Sequence, residues 1–437
     1  MRRSCVGIVA AIMATATACS GQGGGGGGGI AALPSDPAKV SGEITVLTNR
    51  TDQLADGTLK KYAAEFRKVY PGVKVTFEGL TDYEGETKIR MNTDNYGDVL
   101  LIPNSLSVKQ YPTFFAPLGK AGELSAKFDY TDHATVDDQV YGLADIGVAN
   151  GFVYNKAVWA KAGVDDWPTT PAEFVADLEK IKERTGATPY YTNYKDGWPL
   201  TNWTNAIGSP TCDADSYDSL AATDKPWSQG SDLYTIDKLL YTIVDEKLAE
   251  ADPTTTNWED SKARIGTGEV ASMWLGSWAI SQMQAAAKAA GKNPDDIGFM
   301  PFPQQTDGKF CSVLRPDYQY AVNVHSDKKS AARAWIDWYI TQSGHSAAEG
   351  SISSVKGTPL PATLKAFSDN DVKTIPQHQD DVVRVNAIDK ASEIGITAQD
   401  YRQKLVDVAR GAADGDMESF FDDLNGKWAD ARQGVGG

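Results

Sequence analysis

The sequence is poor in cysteine, in histidine and in basic side chains, and each shortage argues against a class of function. Its 437 residues include only 4 Cys and 4 His. No CxxC or HExxH spacing occurs, so we expect no metal site and no cofactor. Lys and Arg number 42 against 58 Asp and Glu, a balance that does not suit nucleic acid or anionic lipid as partners. The histidines are expected on the surface or in turns: His133, His325, His345 and His378.

Long apolar runs are also scarce, and the one near the start has the order of a secretory signal. Basic residues precede an apolar stretch from Val6 to Met13, and small residues lead on to Cys19. At eight residues the stretch is too short to span a bilayer permanently. Residues 16–19, Ala-Thr-Ala-Cys, resemble a bacterial lipobox with Ala in place of the usual Leu. We therefore expect residues 1–18 to be a signal peptide and Cys19 to carry a lipid anchor, the only attachment to the membrane.

Residues 19–41 form the next segment, in which seven glycines follow one another from Gly23 to Gly29. Such a composition is typical of a flexible tether. The remaining body, roughly 390 residues, exceeds what one hydrophobic core usually supports, so two lobes are expected. It contains two cysteines, Cys212 and Cys311. In an exported protein they are expected to form a disulfide, and two buried free thiols are the alternative.

Residues 264–280, RIGTGEVASMWLGSWAI, contain the strongest local pattern. The short apolar run from Val270 to Leu275 predicts a buried strand, and Gly276 must end it. Ser277 is expected to cap the helix that follows, whose first backbone N–H groups would be free to meet oxygen atoms of a ligand. Trp278 would add a flat apolar surface there. The alternative interpretation places its ring in the core.

The same stretch is similar to the signature of the family 1 extracellular solute-binding proteins, which are the sugar-capturing subunits of ABC importers. The pattern departs from the family at Ala144, where Pro is usual, and at residues 315–318, where a Gly-rich turn is commoner. The resemblance nevertheless continues in order over nearly all of residues 43–432. It includes the segments YGLAD at 141–145, NGFVYNK at 150–156, WPTTPAEF at 167–174 and GFMPFP at 298–303. In the third of these, Thr169 or Thr170 together with Glu173 predicts a capped helix start.

The resemblance implies an α/β, two-lobed fold of the periplasmic-binding-protein type II, with three crossovers at a hinge. Its division of the chain would put residues 42–145 and 315–357 in lobe 1 and residues 146–314 and 358–437 in lobe 2. The residues between Glu43 and Phe77 independently predict a strand, a polar loop, an amphipathic helix and a second strand. A right-handed crossover makes these strands parallel, and ligands bind at the carboxyl ends of parallel strands.

The candidate ligand-binding residues follow from loop position and from the resemblance. Asp145, at the first crossover, is expected to hold a sugar hydroxyl. Of Trp198 and Trp203, one is expected to stack on the sugar and the other to pack inside the lobe. No catalytic residue is expected. The full candidate set is Asn49, Arg50, Asp52, Tyr83, Asn104, Asp145, Trp198, Trp203, Gly276, Ser277, Trp278, Asp317 and Tyr318.

The expected function is capture of a sugar or oligosaccharide between the lobes, at the extracellular face of the cell membrane. All 11 Trp and 18 Tyr lie beyond the signal, and aromatic rings offer flat apolar surfaces on which sugar faces can stack. The expected partners are the carbohydrate and the permease subunits of an ABC transporter, with the protein a monomer and not an enzyme. The alternatives are a surface glycoside hydrolase, which needs two carboxylates about 5–10 Å apart, and the same fold binding a non-sugar solute.

Overall fold

The computed structural model describes Ile30, residues 33–377 and residues 379–435. Cys19, His378, the predicted signal peptide and most of the predicted tether lie outside the described residues. The described chain has mixed α/β structure, with two main sheets and a separate hydrophobic core for each. None of its helices is long and apolar enough to cross a membrane. No three His, Cys, Asp or Glu side chains within it are grouped to hold a metal ion.

The first sheet has six strands and is organised around Gly42–Thr48. This strand lies between Val73–Gly79 and Val99–Leu101, and all three are parallel. The loops that follow the three strands therefore meet at one edge of the sheet, where α/β proteins bind ligands. An antiparallel strand and two short strands complete the sheet: Gln319–Asn323, Phe115–Ala116 and Leu143–Ala144.

Helices of the first lobe pack through apolar faces whose residues recur every three or four positions. Thr58–Val69 buries Leu59, Tyr62 and Phe66, as the amphipathic pattern predicts. The ring of Phe66 meets Trp335 edge-on, with centroids 5.2 Å apart. The helices and turns of this lobe are Pro37–Lys39, Thr51–Ala55, Thr58–Val69, Tyr83–Arg90, Val108–Gln110, Tyr111–Phe114, Ala121–Leu124, Thr131–Ala134, Lys329–Gln342 and His345–Ala348. A small sheet of Gly119–Lys120, Gln139–Val140 and Thr135–Val136 adjoins them.

The second sheet has seven strands and is organised around Ile146–Asn155, which is buried along nearly its whole length. Ser272–Gly276 pairs antiparallel with it, and Gly276 lies opposite Asn150. This confirms the strand predicted in the central stretch, although it begins two residues later than predicted. The other strands are Lys309–Pro316, Ile297–Met300, Ile352–Ser353, Gln305–Thr306 and Lys373–Pro376.

The helix Pro171–Thr185 of the second lobe begins where the sequence predicts capping. Thr170 Oγ1 accepts from the Glu173 N–H at 3.1 Å, and Glu173 Oε2 accepts from the Thr169 N–H at 2.7 Å. Both contacts satisfy N–H groups at the helix start. The helices and turns are Lys156–Lys161, Pro171–Thr185, Trp198–Thr201, Asn202–Ala206, Ser216–Ala222, Asp232–Asp245, Pro253–Thr255, Trp258–Thr267, Ala279–Ala289, Pro294–Asp296, Ala362–Leu364, Lys365–Asp369, Gln379–Ser392, Gln399–Ala409 and Met417–Val435.

Three segments of the described chain connect the two sheets, as the predicted fold requires. The first crosses at Asp145, between Leu143–Ala144 and the central strand of the second sheet. The second crosses at residues 317–318, and the third lies between residues 342 and 352. Ile352–Ser353 pairs in the second sheet although it falls in the range predicted for lobe 1, and the exact domain bounds stay a prediction.

The first two connections are bound to each other at the hinge. The Asp145 N–H donates to Tyr318 O at 2.9 Å, and the Asp317 N–H donates to Ile146 O at 3.0 Å. Because backbone hydrogen bonds hold both segments, the carboxylates of Asp145 and Asp317 are carried on an ordered crossover rather than on a free loop.

Cys212 and Cys311 form a disulfide, so the prediction is confirmed and the alternative of two free thiols is wrong. The two residues are 99 positions apart in sequence. The bond ties the loop before Ser216–Ala222 to the strand Lys309–Pro316, which leads into the second connection between the lobes.

Removing this disulfide is expected to lower the free energy of unfolding by about 2–4 kcal/mol, because the bond closes a long loop in the unfolded chain. Urea unfolding of the double variant Cys212→Ala/Cys311→Ala would measure the loss. Reductant should lower the midpoint of the wild type to that of the variant and leave the variant unchanged. Equal midpoints for the oxidised wild type and the variant would contradict the prediction.

Candidate functional site

A cavity of about 970 Å³ lies between the lobes. Residues 102–108, 110 and 111 line it from the first lobe. Residues 201, 202, 204 and 205 and eight residues between 382 and 397 line it from the second. The crossover between the lobes contributes Arg315, Pro316 and Asp317. This volume falls at the upper end of the range for small-molecule sites, so the cavity has room for a ligand of several rings.

Three half-buried tryptophans form a cluster in the second lobe. The ring centroid of Trp198 lies 5.1 Å from that of Trp258 and 5.9 Å from that of Trp278. Trp258 and Trp278 are 5.6 Å apart. The Trp258 N–H donates to Asp196 Oδ2 at 2.5 Å, which holds the start of its helix against the loop of Trp198. Residues from three separate segments thus form one aromatic surface, which is named the tryptophan cluster below.

Beside this cluster, buried amide side chains gather around the carboxyl end of Ser272–Gly276. Asn150 lies opposite Gly276 in the sheet, and the segment that carries Asn193 runs along the same strand. Asn202 O accepts from Trp274 Nε1 at 2.8 Å. Asn150 and Asn193 are 1% and 0% exposed, and no described protein group bonds to their amide N or O atoms or to Asn202 Nδ2. Buried amides without protein partners are uncommon because they cost free energy, so these groups are suited to bonding the hydroxyls of a ligand.

The turn at Gly276 leaves no room for a side chain. A Cβ there would lie 2.6 Å from Cδ1 of Trp278 and 2.9 Å from Cγ1 of Val148. Ser277 does not cap the following helix as predicted, since its Oγ accepts from the Ala149 N–H at 3.3 Å and it is 1% exposed. Trp278 occupies the N-cap position without a side-chain bond. Ser277 is therefore corrected to a role within the sheet, whereas Gly276 lets the Trp278 ring lie close to the strand.

On the first-lobe side, Arg50 is held between two carboxylates in the loop after Gly42–Thr48. Its Nε and Nη2 donate to Asp52 at 3.0 and 2.8 Å, and its Nη1 donates to Glu349 at 2.6 Å. Burial alone would lower the pKa of Arg50, but the hydrogen bonds and charges of the two carboxylates raise it. Asn49 lies half-buried next to this group. The structure thus brings Asn49, Arg50 and Asp52 together at the predicted edge of the sheet.

At the hinge, His345 Nε2 lies 2.8 Å from Asp145 Oδ1, and its ring stacks on Tyr339 with centroids 4.2 Å apart. Burial by itself would lower the pKa of His345, but the charges of Asp145 and Glu349 raise it. His345 is 1% exposed, so the prediction of a surface or turn position is wrong for this residue. Asp145 consequently has a protein partner at the crossover where a ligand contact is predicted.

Asp317 and Tyr318 form the second connection and are half-buried. Burial and the charges of Asp145 and Glu349 raise the pKa of Asp317 to about 6, although Arg315 lowers it. Tyr318 and Asn104 both bond to Glu84: the Tyr318 hydroxyl donates to Glu84 Oε1 at 3.1 Å and the Asn104 N–H donates at 2.9 Å. Asp317 and Asn104 line the cavity.

Two further candidates are buried inside the lobes, and their predicted ligand contacts are corrected here. Tyr83 is 4% exposed, and its hydroxyl donates to Leu101 O at 3.0 Å and accepts from the Leu101 N–H at 2.7 Å. Trp203 is 0% exposed, and its Nε1 donates to Tyr190 Oη at 3.0 Å. Of the two tryptophans left open by the sequence, Trp203 is the one that packs in the core.

Several residues of this region were not among the candidates. Trp258 could have been found from its place directly after Asn257, which caps a helix. Asn150 stood in a segment that resembles the family, but nothing local indicates that its amide is unpaired. Arg315 belongs to the segment 315–318, where the sequence departs from the family pattern, and its place in the cavity depends on tertiary structure.

The two-lobed α/β fold, with a cavity between lobes joined by three connections, defines the class of the protein as a solute-binding protein. Residues 51–345 match the family described as bacterial extracellular solute-binding protein. The chain belongs to this family, as the resemblance in the sequence implied.

Known relatives cover most of the chain. The multiple sugar-binding protein of Streptococcus mutans is 24% identical over 392 residues, which are 84% of this chain and 88% of that protein. The BlMnBP1 binding protein of an ABC transporter from Bifidobacterium animalis subsp. lactis, solved in complex with mannobiose, is 32% identical, with a TM-score of 0.84. BlMnBP2 from the same organism, solved with mannotriose, is 29% identical, with a TM-score of 0.85. In both structural comparisons 92% of this chain and 97% of the other are covered.

Proposed function

We propose that this protein captures a short oligosaccharide between its lobes and delivers it to the permease of an ABC importer. A manno-oligosaccharide of two or three sugars is the first candidate ligand. BlMnBP1 has been solved with mannobiose and with mannotriose, and BlMnBP2 with mannotriose. The observation that carries the proposal is the cavity between the lobes, which is lined by Asn202, one of the buried amides beside the tryptophan cluster that lack a partner among the described residues.

The chemistry of this surface suits a neutral sugar. Sugar rings present flat C–H faces that can lie against Trp278 or Trp198. Their hydroxyls can donate to and accept from amides such as Asn150 and Asn193, whose side-chain hydrogen-bonding groups have no partner in the described part of the chain. The remaining predicted contacts stay part of the proposal: Asn49, Arg50, Asp52, Asn104, Asp145, Gly276, Asp317 and Tyr318.

Attachment to the membrane completes the proposal. Cys19 would carry lipid after removal of residues 1–18, and the glycine-rich segment would let the folded body act at the extracellular face as a monomer. Closure of the lobes on the ligand would present the surface that the permease recognises, since a ligand stabilises the state in which it makes more contacts.

Titration calorimetry and tryptophan fluorescence of the purified protein with mannobiose and mannotriose test this function. We expect saturable binding, and about tenfold weaker binding for Trp278→Ala because the ring loses its sugar contact. Trp167→Ala is the matched control, since Trp167 is also half-buried but packs on Phe310 and Phe367. It should bind as the wild type does. A wild type that melts cooperatively yet binds no saccharide of a panel that includes raffinose would refute the proposal.

A further inference from the structure

Arg315 and Asp317 are two residues apart on the backbone that leaves the second sheet. Side chains two apart in an extended segment share a face, and both residues line the cavity. Their backbone is fixed by pairing of Arg315 with Val148 and by the Asp317 N–H bond to Ile146 O. The two side chains are therefore presented to the cavity from an ordered segment at the hinge.

The guanidinium of Arg315 is not engaged by any of the described residues. Its Nε is buried without a hydrogen-bond partner, and no ion pair of its side chain occurs among the described residues. Arg402, by contrast, is buried with its Nε 2.9 Å from Asp237. Arg315 as a whole is half-buried, and a partly desolvated guanidinium without a partner costs free energy. Burial lowers the pKa of Arg315, although Asp317 raises it. Such a group has a planar fork of donors available to a ligand.

The charges around this fork decide which ligand it suits. An anionic ligand would bind Arg315 but would meet the carboxylates of Asp317, Asp145 and Glu349 in the same region. Like charges close together are unfavourable. A pair of adjacent sugar hydroxyls avoids this conflict, because one can accept from the guanidinium while the other donates to the carboxylate.

We propose that Arg315 and Asp317 together recognise two adjacent hydroxyls of the bound saccharide and thereby select among sugar epimers. The inference rests on the proposed function. It assigns specificity to the segment 315–318, which stands where the family pattern has a Gly-rich turn. Epimers differ in the direction of one hydroxyl, so a rigid donor and acceptor accept one arrangement and leave a buried group unpaired with the other.

Asp317→Asn and Arg315→Lys test the assignment by calorimetry with mannotriose and with cellotriose, whose sugar differs in one hydroxyl direction. Each variant is expected to bind mannotriose about tenfold more weakly and to discriminate less between the two sugars, as loss of one bidentate or charged hydrogen bond implies. Asp371→Asn is the matched control. Asp371 Oδ2 lies 2.6 Å from Nζ of Lys309. Lys309 begins the strand that contains Arg315 near its other end, about 20 Å away along the strand.

The pH profile separates a ligand contact from a structural role. Hydroxyls that donate to Asp317 favour its ionised form, so mannotriose should bind the wild type about tenfold more weakly at pH 5 than at pH 7, given the pKa of about 6. Asp317→Asn should lose this pH dependence, which assigns the dependence to Asp317. The other titratable and charged groups that face Asp317 or share its cavity remain in the variant: Arg315, Asp145, Glu349, His133, Asp389 and Lys390.

Three outcomes are distinguishable. A wild type that binds no saccharide refutes the proposed function itself. A wild type that binds mannotriose, with variants of unchanged affinity and selectivity, overturns the role of Arg315 and Asp317 alone. If a variant melts at a lower temperature, the pH profile of the wild type decides. A wild-type affinity that does not change between pH 5 and pH 7 also overturns that role.

Discussion

Replacing Arg402 by methionine is expected to lower the free energy of unfolding by about 3–5 kcal/mol, because the change leaves a buried carboxylate without its charge partner. Arg402 and Asp237 are both 0% exposed, and Arg402 Nε lies 2.9 Å from Asp237 Oδ1. The other carboxylate oxygen accepts from Trp227 Nε1 at 2.8 Å and from the Tyr401 hydroxyl. These two neutral donors cannot replace the guanidinium charge.

Urea unfolding of Arg402→Met and of the double variant Asp237→Leu/Arg402→Met tests this expectation. The double variant should lose less stability than Arg402→Met, since it removes the unpaired charge together with its former partner. If the double variant instead loses as much stability as the sum of two independent substitutions, the broken ion pair is not the cause of the loss in Arg402→Met.

The same ion pair supports the wall of the cavity. Arg402 Nη1 donates to Thr204 Oγ1 at 2.6 Å and to Ile396 O at 3.2 Å, and both of these residues line the cavity. Arg402 thus joins two segments of the second lobe that are 192 positions apart in sequence, which also meet through the Thr204 hydroxyl and Ile396 O. Weakening this contact is expected to weaken ligand binding together with stability.

Local patterns predicted the elements whose cause is local. The strand before Gly276, the capped helix after Thr170 and the amphipathic helix at Thr58–Val69 each follow from residues close together in sequence. The order of such elements, together with the family resemblance, was enough to predict two lobes and three connections. The disulfide followed from there being only two cysteines in the body of the chain.

The details of the site depend on contacts between distant segments, which no local pattern contains. His345 is buried because Asp145, 200 positions away, supplies a partner. Tyr83 is lost as a ligand contact because Leu101 uses its hydroxyl. The tryptophan cluster forms only when segments around residues 198, 258 and 278 meet. Burial and partner choice are set by tertiary packing, so the sequence predicted the region of the site better than its individual contacts.

Gly276→Ala is expected to reduce both stability and ligand binding, although it adds only one methyl group. The new Cβ would lie within 2.6 Å of the Trp278 ring and 2.9 Å of Val148. Overpacking of this kind costs about 1–3 kcal/mol in stability. Relief of the clash requires the indole to move, and a displaced Trp278 should weaken saccharide binding about tenfold or more. Calorimetry and urea unfolding measure the two losses separately.

Gly298→Ala provides the matched control for this argument. Its Cβ would lie 2.6 Å from two ring atoms of Tyr154, so the same substitution creates the same type of clash in the same sheet. Gly298 pairs with Tyr154 of the central strand, and Gly276 pairs with Asn150 of the same strand. The two glycines therefore lie beside positions that are four residues apart. The control should lose stability without losing affinity. If both variants lose affinity equally, general loosening of the sheet is the cause; if only Gly276→Ala does, the close approach of Trp278 to the strand is what the glycine provides for binding.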